Sequence, residues 1–147
     1  MISCTDFIPA YSDLFKYLEK RGGSQAVLDF WNDLSDRYLD NLRELVKAKG
    51  IRGCWEYWSH SLNEEAADFT MELDEEKEEL KITMHHCPSK GRFLKDPRLA
   101  PYHNYCGHCA VLYHRALEPL GFTANDLDLS QADNARCVFI VRRKESK

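Results

Sequence analysis

Ala67-Asp68-Phe69-Thr70-Met71-Glu72-Leu73 and Leu80-Lys81-Ile82-Thr83-Met84-His85-His86 are the stretches that decide the fold. In both, apolar and polar residues alternate with period two, the pattern of a strand with one buried face. Ala67, Phe69, Met71 and Leu73 share one face of the first; Leu80, Ile82, Met84 and His86 share one face of the second. The polar run Asp74-Glu75-Glu76-Lys77 between them predicts a turn, so the pair predicts a β-hairpin.

Toward the N-terminus the period changes to that of a helix. Leu14, Phe15 and Leu18 fall at helical spacing, and Gly22-Gly23 ends that segment. Ser24 is the expected N-cap of a long helix to about Lys49, with Gly50 as its stop. Val27, Trp31, Leu34, Tyr38, Leu42 and Leu45 form its apolar stripe. A shorter helix follows with Cys54, Trp55, Trp58 and Leu62. Toward the C-terminus, Pro88, Gly91, Pro97 and Pro101 predict an irregular connection. A helix is then expected from about Tyr105 to Leu120, capped by Asn104 and stopped by Gly121. A second hairpin is expected from Asp126 to Gln131, through Ala132-Asp133-Asn134, and back along Arg136 to Arg143. The expected fold is α+β: N-terminal helices, then ββαββ with a mostly antiparallel four-stranded sheet packed on helices. The chain is read as one domain, with residues 1–64 helical and residues 65–147 carrying the ββαββ part.

Composition narrows the function classes. The chain has 147 residues, 44% hydrophobic and 30% charged, ordinary values for a soluble globular protein. A net charge of −4 argues against a general nucleic-acid binder. No segment approaches the roughly 18 apolar residues of a membrane span, and the start of the chain shows no signal-peptide pattern. The expected location is therefore a reducing cytoplasm, where clustered cysteines serve as metal ligands or reactive thiols more often than as disulfides. The expected partner is a small-molecule ligand or substrate; among protein assemblies only a homodimer is considered. The acidic runs Glu64-Glu65 and Asp74 to Glu79 read as a solvated hairpin edge.

Chemistry concentrates between positions 85 and 109, which hold His85, His86, Cys87, His103, Cys106, His108 and Cys109. Cys106 and Cys109 stand three apart on one helix face, continued by Ala110, Tyr113 and Leu117, while His108 is expected to point elsewhere. The first turn of a helix favours a thiolate at Cys106. His85 and Cys87 share one face of the second strand. Three functional readings follow, beside the plain one that Cys87, Cys106 and Cys109 are simply buried thiols. Zinc would be held by Cys87, Cys106 and Cys109, with His85, His103 or water completing the set. Cys106-Gly107-His108-Cys109 is also the tetrapeptide of protein disulfide isomerases. Too few residues follow Cys109 for a thioredoxin fold, so thiol–disulfide chemistry would need another scaffold. In the third reading one cysteine is a nucleophile with a histidine as proton carrier. Catalytic candidates are thus Cys87, Cys106, Cys109 and His85. Cys4, Cys54 and Cys137 read as small buried hydrophobes. Trp55, Trp58, Tyr105 and Tyr113 are the candidate walls of an apolar ligand pocket, the alternative for the tryptophans being core packing.

The segment Ile82 to Arg143 resembles the L-2-amino-thiazoline-4-carboxylic acid hydrolase-like family. The resemblance rests on Thr83-Met84-His85-His86-Cys87-Pro88, Tyr105-Cys106-Gly107-His108-Cys109, Glu118-Pro119-Leu120-Gly121-Phe122 and Asp133-Asn134-Ala135-Arg136-Cys137-Val138-Phe139. The last hairpin is also similar to 4-vinyl reductase-type small-molecule-binding domains, some of which hold zinc through cysteines. The first resemblance implies hydrolytic opening of a small heterocycle, with Cys87, Cys106 and Cys109 as the residues carried over. The second implies a binding or sensing module with structural zinc.

Overall fold

The period-two stretches form strands β1 (Asp68–Asp74) and β2 (Glu79–His86), paired antiparallel with Met71 opposite Ile82 and Leu73 opposite Leu80. This computed structural model describes residues 6–145. Helices α1 (Phe7–Tyr38), α2 (Asp40–Lys49) and α3 (Ile51–Glu64) precede the hairpin. Helices α4 (Pro88–Leu94) and α5 (Gly107–Leu117) follow it, and strands β3 (Phe122–Asp128) and β4 (Cys137–Arg143) complete the fold. The sheet order is β1-β2-β4-β3, antiparallel throughout. The last strand thus enters the centre beside β2, setting Phe139 opposite Ile82 and Val141 opposite Leu80. The architecture is the expected α+β one. No described helix is long and apolar enough to cross a membrane.

Several boundaries differ from expectation for identifiable reasons. Gly23, at φ 72° and ψ −175°, breaks α1 as the Gly22-Gly23 pair predicts. The following helix does not run through to Lys49: Leu39, at φ −104° and ψ 20°, interrupts it. That break rotates the apolar stripe, so Tyr38 is 73% exposed while Leu39 is buried. The stretch after Pro88 is not irregular throughout; Pro88 occupies the first turn of α4, where its missing N–H costs nothing. Strand β3 begins four residues earlier than Asp126, at Phe122. Its inward residues are Phe122 and Ala124, and a register shift between Thr123 and Asp126 hides the alternation. Asn104 is not the cap of α5: Cys106 holds that position without a side-chain cap bond, and the Asn104 side chain lies over Gly107.

Two apolar clusters form. One joins the inner sheet face (Leu80, Ile82, Phe122, Phe139, Val141) to α2, α3 and α5 through Leu42, Val46, Cys54, Trp58 and Leu117. The other joins the two segments of α1 to the α4–α5 region through Phe15, Val27, Trp31, Phe93, Tyr102 and Tyr105. Buried Ser35 donates to the Leu112 carbonyl at 2.7 Å, tying α1 to α5.

Candidate functional site

A cavity of about 370 Å3 lies where the two clusters meet, with walls from α3, α4, α5, β2 and β4. Tyr57, Trp58, Tyr113 and Phe139 form an aromatic wall. The Trp58 and Tyr113 rings meet at 4.9 Å and the Trp58 and Phe139 rings at 5.6 Å, both edge to face. Four thiols, Cys87, Cys106, Cys109 and Cys137, line the same space, and all four are free. Glu65 and Arg136 are the exposed residues of this lining that carry charge, and they mark where it opens. Half-buried Lys90 joins them. Lys90 and Arg136 make no ion pair among the described residues, whereas Arg142, Arg143 and Lys144, at the other end of β4, each hold a carboxylate.

Local structure explains each thiol. Cys87 leaves the strand geometry to become the N-cap of α4, its Sγ accepting the Lys90 N–H at 3.4 Å. Its own N–H donates to the Ala135 carbonyl at 2.7 Å, which pins the end of β2 to the turn before β4. Cys106 caps α5 and Cys109 stands in its first turn. Cys137 opens β4 opposite Met84, another cavity residue. Because Sγ accepts a helix N–H, Cys87→Ala should cost about 1 kcal/mol, the typical worth of an N-cap. Cys87→Ser should recover most of it. Urea denaturation of both variants checks this, and equal losses would show that the cap contributes nothing.

Some candidates stand elsewhere. His85 is exposed on the outer face of β2 and bonds Thr70 Oγ1 at 2.7 Å. The alternation that put it on one face with Cys87 ends at Cys87, where the chain turns into α4. His103 is exposed and held by Glu19 at 3.0 Å. Trp55 lies on another side of α3, above a shallow hollow with Ser59 and His60. Trp58, Tyr105 and Tyr113 do line the cavity. Cys54 is wholly buried in the sheet cluster, whereas Cys137 is no core filler but part of the cavity wall. Cys4 falls outside the described residues.

His108 is the residue that spacing misplaced. Its ring folds back over the start of α5 so that Nδ1 meets the Tyr105 carbonyl oxygen. This brings Nε2 to 3.5 Å from Cys109 Sγ, although helix neighbours in sequence ordinarily diverge. The rings of Tyr11, Phe15, Trp31 and Tyr105 surround it at 5.0–6.3 Å. Burial among them pushes the imidazole below its ordinary value, so it is neutral at pH 7. A carbonyl only accepts, so Nδ1 carries the proton and Nε2 presents a lone pair.

Burial also governs the thiols. It pushes Cys106 and Cys109 up to about 11 and Cys137 up to about 12, and it raises Cys87 as well. Their mutual proximity adds to the shift at Cys106 and Cys137. The thiolate expected at Cys106 from its helix position does not form at rest, because desolvation outweighs the favourable Lys90 charge. Among the described residues no group of three or more His, Cys, Asp or Glu side chains is placed to hold a metal ion. Zinc needs its ligand atoms within about 2.0–2.3 Å of one point. Spread round the wall, these sulfurs do not fit it as a preformed ligand set. No family model, curated protein or solved structure matches this chain.

Proposed function

We propose that the chain is a small-molecule hydrolase-like protein whose cavity takes a small heterocycle with one anionic group, of the L-2-amino-thiazoline-4-carboxylate type. The observation that carries this reading is the cavity itself: aromatic rings and thiols around about 370 Å3, with two cations at the edge that make no ion pair among the described residues. That volume is at the small end of ligand pockets, which run from about 300 to 1,000 Å3. The rings supply flat contact area for a heterocycle. Lys90 and Arg136 supply charge-assisted donors for a carboxylate, with Glu65 as the opposing charge that would select an amino group. The resemblance of Ile82–Arg143 to the hydrolase-like family agrees with a substrate of this chemistry.

A second reading, binding or sensing without turnover, is favoured by the protonated resting state of all four cavity thiols. The same protonation weighs against a thiol–disulfide role for Cys106, which has no histidine contact among the described residues, since attack on a disulfide needs a thiolate.

The test is titration of L-2-amino-thiazoline-4-carboxylate and its neutral carboxamide, followed by tryptophan fluorescence and by assay for ring opening. The carboxylate should bind at least tenfold more tightly than the amide. Lys90→Ala with Arg136→Ala should abolish the difference, because a hydrogen bond to a charged group is worth about 1.5–3 kcal/mol. Binding with ring opening supports the hydrolase, and binding alone supports the sensor. No binding of either compound overturns both. Metal analysis belongs beside it: one zinc per chain, lost in a Cys106→Ala, Cys109→Ala double variant, would replace the metal-free mechanism.

A further inference from the structure

We propose that Cys109 and His108 are a nucleophile–base pair, oriented by the Tyr105 carbonyl, that adds the Cys109 sulfur to an electrophilic C=N or C≡N carbon of a molecule held in the cavity. The inference deepens the hydrolase reading above and rests on the same cavity. Three observations carry it. Cys109 Sγ lies 3.5 Å from His108 Nε2, within reach of an S–H···N hydrogen bond. The bond from Nδ1 to Tyr105 O fixes the tautomer in which Nε2 is the proton acceptor. Cys109 and His108 both line the cavity, and neither residue is fully buried. Nucleophile, base and a third group that orients the base are the geometric requirements of activated-thiol catalysis.

The arrangement also suits the resting chemistry. Cys109 and His108 are both neutral, so no ion pair must be buried before a substrate arrives. In the reaction the Cys109 S–H proton passes to His108 Nε2 as the S–C bond forms. The π pair of C=N moves to nitrogen, which takes the proton from Nε2, and the imidazole is neutral again. For a cyclic 2-amino-thiazoline, the nitrogen lone pair then re-forms C=N as the ring C–S bond breaks with its electron pair, and the proton this nitrogen loses passes to the ring sulfur, which leaves as a thiol. Water adds to the remaining isothiourea carbon and Cys109 departs, regaining its proton. Substrate and one water are consumed and the protein is unchanged. Among the groups around the Cys109 sulfur, its own backbone N–H favours the negative charge, against the burial that opposes it. Cys87, Cys106 and Cys137 share the cavity but have no such histidine contact among the described residues. Selectivity for Cys109 is therefore a consequence of the base and not of exposure.

The test uses 2-cyanopyrimidine, a neutral planar nitrile that takes a thiol across C≡N without any co-reactant. The whole protein is incubated with it, the adduct is weighed intact, and the modified residue is mapped. A single adduct on Cys109 is expected. His108→Asn keeps an N–H where Nδ1 stood, so it can still donate to Tyr105 O, but it has no atom at Nε2. The adduct rate should fall at least about 100-fold in it, the usual contribution of a general base. Adduct on another cysteine, no adduct at all, or an unchanged rate in His108→Asn overturns the pairing. The imidazole 15N shifts of the unmutated protein provide a check that needs no variant: a proton on Nε2 of His108 would equally overturn it. Because the nitrile carries no carboxylate, a Cys109 adduct with no thiazoline binding would sink the substrate reading alone.

Discussion

Gly53→Ala is expected to cost at least about 3 kcal/mol, although the same exchange in an exposed helix interior stabilises by about 0.5–1 kcal/mol. The reason is the closeness of α2 and α3. A Cβ at Gly53 would lie 2.5 Å from the Leu45 carbonyl carbon and 2.8 Å from the Val46 nitrogen, and nearer still to the Leu45 oxygen. These are backbone atoms of a helix, so no rotamer change relieves the collision. Overpacking a core by a methylene or two ordinarily costs about 1–3 kcal/mol when side chains can give way, and here they cannot. The helices are joined by a single residue, Gly50, at φ 59°, so α3 cannot slide away without unwinding the junction. Ile51, Cys54 and Trp58 on α3 share one cluster with Leu42 and Val46 on α2, and all five would be pulled from register. Trp58 is also a cavity wall, so any folded remainder should bind the thiazoline carboxylate poorly. The measurement is the urea midpoint at constant m-value. A loss below about 1 kcal/mol would mean that the inter-helix contact is looser than the structure has it.

The residues show where sequence reasoning stops. Period-two alternation is a local property, and it placed β1, β2 and the turn between them nearly to the residue. Glycine stops at Gly23, Gly50 and Gly121 were equally local, and each has positive φ. The order β1-β2-β4-β3 carries no local signal, because it depends on which inner faces pack on α3 and α5. The site divided along the same line. Cys87, Cys106 and Cys109 cluster in sequence as well as in space. Cys137, far along the chain, reaches the cavity only through the pairing of Met84 with Cys137 in the central strands. Helical spacing directed His108 away from its neighbour because spacing describes Cβ directions. The ring position depends on a side-chain rotamer and on the Tyr105 carbonyl, neither of which is legible in a pattern of residue types. Cys87 shares a face with His85 only if strand alternation is carried one residue past His86, where the chain instead becomes a helix cap.

Raising the pH from 8 to about 10.5 should unfold the protein under reducing conditions, with the cavity and core thiols as the main cause. Burial pushes Cys106 and Cys109 up to about 11 and Cys54 and Cys137 up to about 12, against about 8.5 for a cysteine in an unfolded chain. Below the unfolded value, thiols are protonated in both states and the stability they contribute is fully present. Between the two values the unfolded chain loses protons that the folded one keeps. Unfolding is then favoured by about 1.4 kcal/mol per pH unit for each thiol, until the folded value is passed. Two units of that slope on four thiols is on the order of 10 kcal/mol, comparable with the whole stability of a small domain. Tyr105 and Tyr113, also raised by burial, add to the loss above pH 10. The urea midpoint should therefore stay level to about pH 8 and then fall steeply. Cys54→Ala separates this linkage from general alkaline repulsion. Cys54 is wholly buried in the sheet cluster and is not a cavity residue, so its removal costs packing at pH 7 without touching the site. It also takes one ionisation out of the unfolded chain, so its midpoint should fall less steeply, and the two proteins should converge or cross near pH 10. Parallel curves, or a level midpoint through pH 10.5, would show that these thiols ionise as readily in the folded protein as in the unfolded one. The cavity would then have to be wetter than its aromatic walls imply.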